Sequence, residues 1–281
     1  MARNTTKNEN SFYEMVKTIV VALLLAGIFR SLFFQPFWIP SGSMKQSLLI
    51  GDFIFVNKMA YGYSYASCPS IPFTSITPDK LCGFIKGKNT RIFGGTPERG
   101  DVVVFRHPVT GADYIKRLIG LPGDKLQMKK GFLFLNGKQL QSKDDGIFLE
   151  KMEAQGSLGG LPRCSNGAVG IGGVCEKKRR IEVLPNGRSY PILNIIDGTR
   201  GDNTSIFNVP EGHFFFIGDN RDNSTDSRFP QIFDRSRQTG VGFVKYENIV
   251  GRADRIMFSS AGRSMFYFWT WRSDRFFEAI E

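Results

Sequence analysis

The stretch from Val16 to Phe34 reads VKTIVVALLLAGIFRSLFF, and it constrains the chain more than any other segment, because so apolar a run must be buried in protein or in lipid. Its uncharged core, Thr18 to Phe29, is 12 residues long, short of the roughly 20 that cross a bilayer as a helix. Counting Lys17 and Arg30 as snorkelling ends and extending through Phe33, Phe34, Phe37 and Trp38 gives a span of adequate length with an aromatic outer edge. The run therefore predicts one transmembrane helix over residues 13–35. A cleavable leader also starts basic and then turns apolar, but no small-x-small site follows here, since AGIFRSLFFQPF is mostly bulky. Arg3, Lys7 and Lys17 precede the helix, while Glu9 and Glu14 count little toward orientation. Residues 1–12 are thus expected as a cytoplasmic tail, and residues 36–281 as the part facing outward.

Beyond Pro36 the pattern is one of short β-like runs with turn punctuation: DFIFVNK (52–58), GDVVVFR (100–106), DYIKRLIG (113–120), GFLFLNGKQL (131–140), KRRIEVLPNGRSYPIL (178–193), EGHFFFIGD (211–219) and VGFVKYENIVG (241–251). Asn-Gly pairs at 136 and 186 mark hairpin turns. The expected fold is mainly β: an N-terminal transmembrane helix, then an antiparallel β catalytic domain with an inserted second β lobe. The core is expected from residues 36–61, 98–123 and 208–258, with an extended Pro/Gly/Ser-rich excursion at 62–97 and the inserted lobe at 124–207. Within that lobe, the Gly-rich, polar stretch 141–178 reads as an insertion or an exposed loop. Residues 259–281 interleave aromatics with Arg263, Arg272 and Arg275, too short and too charged to span. They suit either a contact with the membrane surface or a final helix packed on the domain.

The net charge of +11 would suit nucleic acid or an anionic bilayer. No nucleic-acid motif is present, and the apolar run favours the phospholipid bilayer as partner. Cys68, Cys82, Cys164 and Cys175 form two local pairs with no CxxC and no histidine beside them, so zinc is not expected. In an extracytoplasmic body each pair can close a disulfide; the alternative is four reduced core thiols. No cofactor and no metal are expected.

PFWIPSGSMKQSLLIGD, at 36–52, places Ser41 and Ser43 around a glycine directly after the anchor. The chain holds two histidines, His107 and His213, which leaves few candidates for a Ser-His-Asp arrangement. GxSxG, SxxK and HExxH are all absent from the sequence. A lysine can act as the base instead if burial lowers its pKa from about 10.4 toward 7 to 8, a differential cost of roughly 3 to 5 kcal/mol. In DYIKRLIG, period-two geometry puts Lys116 on the face of Tyr114 and Leu118, and Arg117 on the face of Ile115 and Ile119; either can be the inward residue. A carboxylate or metal site built from Asp219, Asp222 and Asp226 is a further reading of the loop GDNRDNSTDSR (218–228).

Four stretches, IPSGSM with LLIGD after it, RGDVVVF (99–105), DYIKRLIGLPGD (113–124) and GDNRDNSTDSR, resemble in sequence and order the type I signal peptidases, membrane-bound Ser/Lys endopeptidases. The resemblance implies Ser43 as nucleophile, Lys116 as general base, Ser41 as an oxyanion donor and Ser224 as the hydroxyl orienting the lysine. It gives Gly218, Asp219, Asp226 and Arg228 supporting roles, with Asp226 and Arg228 paired. It further implies preproteins with signal peptides, emerging from the export machinery, as substrates cut after small-x-small sites, and a bacterial cytoplasmic membrane with the catalytic domain in the periplasm. The chain departs from the family's SMxPTL pattern: Gln46 stands at the proline and Ser47 at the threonine, which puts the local geometry behind Ser43 in question. Two other readings share these features: a self-cleaving Ser/Lys relative, for which residues 1–12 are too short to hold a DNA-binding unit, and an anchored binding protein without catalysis.

Overall fold

The computed structural model describes residues 6–68, 82–87, 91–232, 239–262 and 264–281, with the side chains of 6–10 and 28–32 left aside. One helix, α1 (Thr6–Leu32), precedes β1 (Phe34–Trp38), β2 (Asp52–Asn57), β3 (Val102–Arg106) and β4 (Asp113–Gly120). Then come β5 (Lys125–Lys129), β6 (Phe132–Leu135), β7 (Lys138–Gln139), β8 (Gln141–Lys151), β9 (Val174–Val183), β10 (Ser189–Asn194) and β11 (Phe207–Asn208). The last strands are β12 (His213–Ile217), β13 (Val244–Lys245) and β14 (Ile249–Ser259). Every paired strand is antiparallel, so the protein is mainly β as its alternating runs imply.

Seven strands form one sheet in the order β1-β2-β14-β3-β4-β12-β13. In β2 the period of two is plain: Ile54 and Val56 are fully buried while Phe53 and Phe55 turn to the other face, where Trp38 and Phe34 pack on them. In β3, Val102 to Phe105 are buried on both faces, as befits a central strand. β3 pairs with β4 so that Val103 faces Lys116 and Val102 faces Arg117, which places both cations in the middle of the sheet.

Strands β5 to β11 form two smaller sheets, β11-β5-β6-β7 and β10-β9-β8. Their apolar faces share one buried cluster with the large sheet, in which Leu126, Met128, Leu133 and Ile192 meet Ile119, Phe215 and Ile217. The turn at Asn136-Gly137 has φ +52° and +81°, the backbone of a two-residue hairpin loop. The stretch expected as a loop at 141–178 begins instead with the long strand β8, and β9 starts at Val174. β8 pairs with β9 along its length but lacks a regular alternation and carries charged partners such as Asp145 with Arg179, so its pattern does not read as a strand. Both local cysteine pairs are closed, Cys68–Cys82 and Cys164–Cys175, with Cα separations of 6.4 and 5.1 Å. Most of the sequence between Cys68 and Cys82 lies outside the described residues.

Two expectations require correction. The aromatic edge counted toward a spanning helix, Phe34, Phe37 and Trp38, belongs to β1 and pairs with β2. Among the described residues, no helix is long and apolar enough to cross a membrane; the helix carries Glu14 and Lys17 in its described part. The C-terminal segment, considered as a helix, forms two short 3-10 turns, Phe268–Thr270 and Ser273–Arg275. It is pinned by isolated bridges at Ser260–Trp271 and Arg255–Ala279 and by Trp271 and Phe276 against Phe258.

Candidate active site

Ser43 sits in a single 3-10 turn, Gly42–Met44, immediately after β1 and Ile39. Met44 and Leu48, both fully buried, anchor the turn in the apolar cluster of Ile54, Val56 and Ile256, and Leu48 N donates to Met44 O at 2.8 Å. Lys116 comes from the centre of β4, a strand with apolar neighbours on both sides. Its Nζ lies 2.7 Å from Ser43 Oγ and 2.8 Å from Ile115 O. The side chain is 4% exposed. Burial pulls the amine from 10.5 down to about 8, against the opposing pull of the Asp226 and Asp219 carboxylates. A serine hydroxyl within hydrogen-bond reach of an amine that is partly neutral near pH 8 has the geometry that a nucleophile and its base require.

Ser41 is exposed, and its Oγ lies 3.5 Å from Ser43 Oγ. Ser224 reaches the same cleft, but its hydroxyl donates to Asp226 Oδ2 at 2.7 Å rather than to Lys116. Asp226 is held in turn by Arg228 Nε and Nη2, both at 2.9 Å, and by Gly218 N at 3.0 Å. These bonds outweigh desolvation and keep the Asp226 carboxyl below the usual carboxylate range. At Gly218 a Cβ would stand 2.2 Å from Ser224 Oγ and 2.7 Å from Ser43 O, so no side chain fits between them. Asp219 faces the other way and takes Arg117 Nε at 2.9 Å and Nη2 at 2.8 Å, with Ser47 Oγ donating to it at 2.6 Å. The two basic residues of β4 are therefore both inward, on opposite faces: Lys116 toward the serine and Arg117 toward Asp219.

Sequence reasoning missed Asn220. Its backbone N donates to Ser43 O at 3.0 Å and its Nδ2 to Gly42 O at 2.9 Å, tying the loop after β12 to the nucleophile turn. The polar loop hid this residue among several similar ones. It also missed Arg221, which pairs with Glu182 of β9 in a buried contact that includes Tyr190. Asp219, Asp222 and Asp226 do not converge: they serve Arg117, the backbone of Ile195 and Ile196, and Arg228 respectively. Among the described residues no group of His, Cys, Asp and Glu could hold a metal ion. Nor do the histidines approach the serine: His107 Nδ1 accepts from Val109 N and Thr110 N at the β3–β4 turn, and His213 Nδ1 lies 2.9 Å from Glu211 O.

Ser41, Ser43 and Lys116 open on a cleft of about 680 Å³. Its lining combines apolar side chains, among them Phe37, Ile39, Ile54, Val104 and Ile115, with the polar Arg163, Arg200, Asp222 and Asn223. A polypeptide laid along this cleft would meet side-chain pockets and a serine–lysine pair at one place.

The chain is similar to known peptidases along most of its length. The family described as signal peptidase, peptidase S26, matches residues 12–258. Signal peptidase I of Rickettsia typhi is 37% identical over 267 residues, covering 92% of this chain and 85% of the relative. The signal peptidase I of Rickettsia prowazekii is 35% identical over the same shares of the two chains, and that of Rickettsia bellii is 35% identical, with 92% and 78% covered. A solved signal peptidase I from Enterococcus faecalis is similar at 24% identity over 56% of this chain, with a TM-score of 0.29. With a family match across most of its length, the chain belongs to the signal peptidase family, peptidase S26, and is a serine peptidase of the signal peptidase I type.

Proposed function

We propose that this enzyme removes N-terminal signal peptides from exported preproteins, cutting after small-x-small sites through a Ser43–Lys116 dyad. The observation that carries the reading is the 2.7 Å approach of a buried lysine amine to Ser43 at the head of a peptide-sized cleft. The substrate lies as an added strand along β1 and β4, with its small side chains against the apolar lining. Neutral Lys116 takes the hydroxyl proton as Ser43 Oγ bonds to the scissile carbonyl carbon, giving a tetrahedral oxyanion. Ser41 Oγ and the Ser43 backbone N–H hold that oxyanion, each worth roughly 3 kcal/mol. The lysine ammonium then protonates the leaving amine as the C–N bond breaks, and the mature protein departs. Water, deprotonated by Lys116, attacks the acyl-enzyme; the ester bond breaks, the proton returns to Ser43 and the signal peptide leaves as a free acid. Ser224 lies in the same cleft with its proton held by Asp226, which leaves its oxygen to accept from the Lys116 ammonium once that forms.

The same reading places the enzyme at the bacterial cytoplasmic membrane, with the N-terminus cytoplasmic and the catalytic domain in the periplasm. Support comes from α1, whose Val16, Ile19, Val20, Val21, Leu23, Leu24 and Leu25 are all exposed, an apolar surface along residues 16–25 that lipid would cover. Two closed disulfides suit an oxidising compartment. The test is cleavage of a purified preprotein in detergent micelles by the enzyme and by Ser43→Ala and Lys116→Ala. Both variants are expected to lose cleavage while remaining folded; turnover by either refutes the dyad.

A further inference from the structure

Lys45 lies two residues after Ser43, next to Gln46 where the turn departs from the family pattern, and it does not point to solvent. Its side chain is 5% exposed and runs beneath Gly42, the residue between the two serines. A Cβ at Gly42 would stand 3.2 Å from Lys45 Cε and 3.4 Å from Cδ, so the alkyl chain is packed directly against that backbone. The amine then reaches the edge strand β8 and the residues after it. Nζ donates to Glu150 Oε2 at 2.6 Å and to Gln155 Oε1 at 2.6 Å, and Gln155 Nε2 donates to the same Glu150 oxygen at 2.8 Å. The other Glu150 oxygen meets Lys177 of β9, a strand hydrogen-bonded to β8. Two lysine amines thus share one carboxylate in a nearly water-free site, where an unpaired charge is costly and burial pulls Lys45 down to about 8 and Lys177 to about 7. Arg272 also approaches Lys45 from the C-terminal segment, adding a third positive charge nearby.

Glu150, Gln155 and Lys177 all lie outside the motifs that carry the dyad. We infer that Glu150 and Gln155 clamp the nucleophile turn through Lys45, making Glu150 a positioning residue for Ser43 and tying catalysis to the β8–β9 sheet. The inference rests on the peptidase reading above. A turn in this place must hold Ser43 Oγ on the lysine amine and Ser41 Oγ at the oxyanion, and Lys45 supports the backbone between them from below. The same carboxylate explains why a lysine is tolerated in this buried position.

The two lysines allow a test that separates positioning from general structural support. Lys45→Met leaves Glu150 balanced by Lys177, and Lys177→Met leaves it balanced by Lys45, so neither strands a buried charge. In preprotein cleavage, Lys45→Met should lose roughly 10- to 100-fold in kcat with KM changed less than about threefold, whereas Lys177→Met should stay within about twofold of the parent enzyme. Lys45→Arg, which keeps the cation, should recover most of the loss. Hydrogen exchange on the same samples is the second readout: the amides of Leu48 and Asn220, which bond to Met44 O and Ser43 O, should exchange faster in Lys45→Met alone. Equal behaviour of the two methionine variants, in kcat and in exchange, overturns the clamp. If the parent enzyme cleaves no preprotein, the peptidase reading fails, yet the exchange comparison still decides the clamp. Lys45→Gln gives the same two outcomes if Lys45→Met does not fold.

Discussion

Lys116 should make the folded enzyme less stable at neutral pH, and replacing it should show by how much. The amine is buried and carried from its ordinary 10.5 down to about 8. At about 1.4 kcal/mol per tenfold change in proton affinity, that difference is worth roughly 3 kcal/mol. Below pH 8 both the folded and the unfolded chain hold the proton, and the whole penalty is present. Between about 8 and 10.5 the unfolded chain still binds the proton while the folded chain has released it, so stability rises with pH. Lys116→Met keeps the side-chain volume and removes the charge. At pH 7 the variant should match or exceed the parent in stability, since the gain opposes only the lost contacts to Ser43 Oγ and Ile115 O. The cleaner quantity is the difference between the two proteins, measured by urea unfolding in micelles from pH 7 to 10.5. It should move by roughly 3 kcal/mol in favour of the parent as pH rises. A difference that stays flat across that range refutes the claim that burial depresses this amine, and with it the reason Lys116 can act as a base.

Two further outcomes follow from the same site. Asp226 is the carboxylate that most raises the Lys116 amine, so Asp226→Asn should shift the acid limb of the pH–rate profile to lower pH, read from initial cleavage rates. It should also cost about 3 to 5 kcal/mol by leaving buried Arg228 unpaired. Because the Asp226 pKa is depressed in the fold, its stabilisation is present above the unfolded value near about 4 and fades on acidification; acid unfolding of the variant should lack that component. Ser41→Ala should lower kcat by roughly 100- to 1,000-fold with little change in KM if its hydroxyl serves only the oxyanion; steady-state kinetics on a signal-peptide substrate separate the two parameters.

The core strands were legible because their burial follows the period of two, as in β2, or is complete on both faces, as in β3. The proposed dyad was legible only through the family resemblance that four motifs carry, since a lysine in an amphipathic strand looks like any solvated lysine. β4 is in fact buried on both faces, so both its basic residues point inward, an outcome that alternation alone leaves open. The helix end was misplaced because Phe34, Phe37 and Trp38 are as apolar as the helix before them, and only pairing with β2 makes them a strand. β8 was unreadable because it lacks a regular alternation and carries charged partners, and Glu150, polar and isolated in sequence, gives no sign that it meets Lys45 more than a hundred residues away. Asn220 and Arg117 share that difficulty: their partners are backbone carbonyls and a carboxylate brought close by the sheet order.

The central claim is that a neutral Lys116 amine takes the proton from Ser43. The most direct measurement is the pH dependence of single-turnover acylation of Ser43 by a preprotein, in the parent enzyme and in Lys116→Ala. The rate should rise about tenfold per pH unit and level off near pH 8, the value to which burial brings the amine, and it should vanish in Lys116→Ala at every pH. A midpoint near about 6.5, the ordinary histidine value, that moves when His107 or His213 is replaced, or acylation that persists without Lys116, would contradict the account.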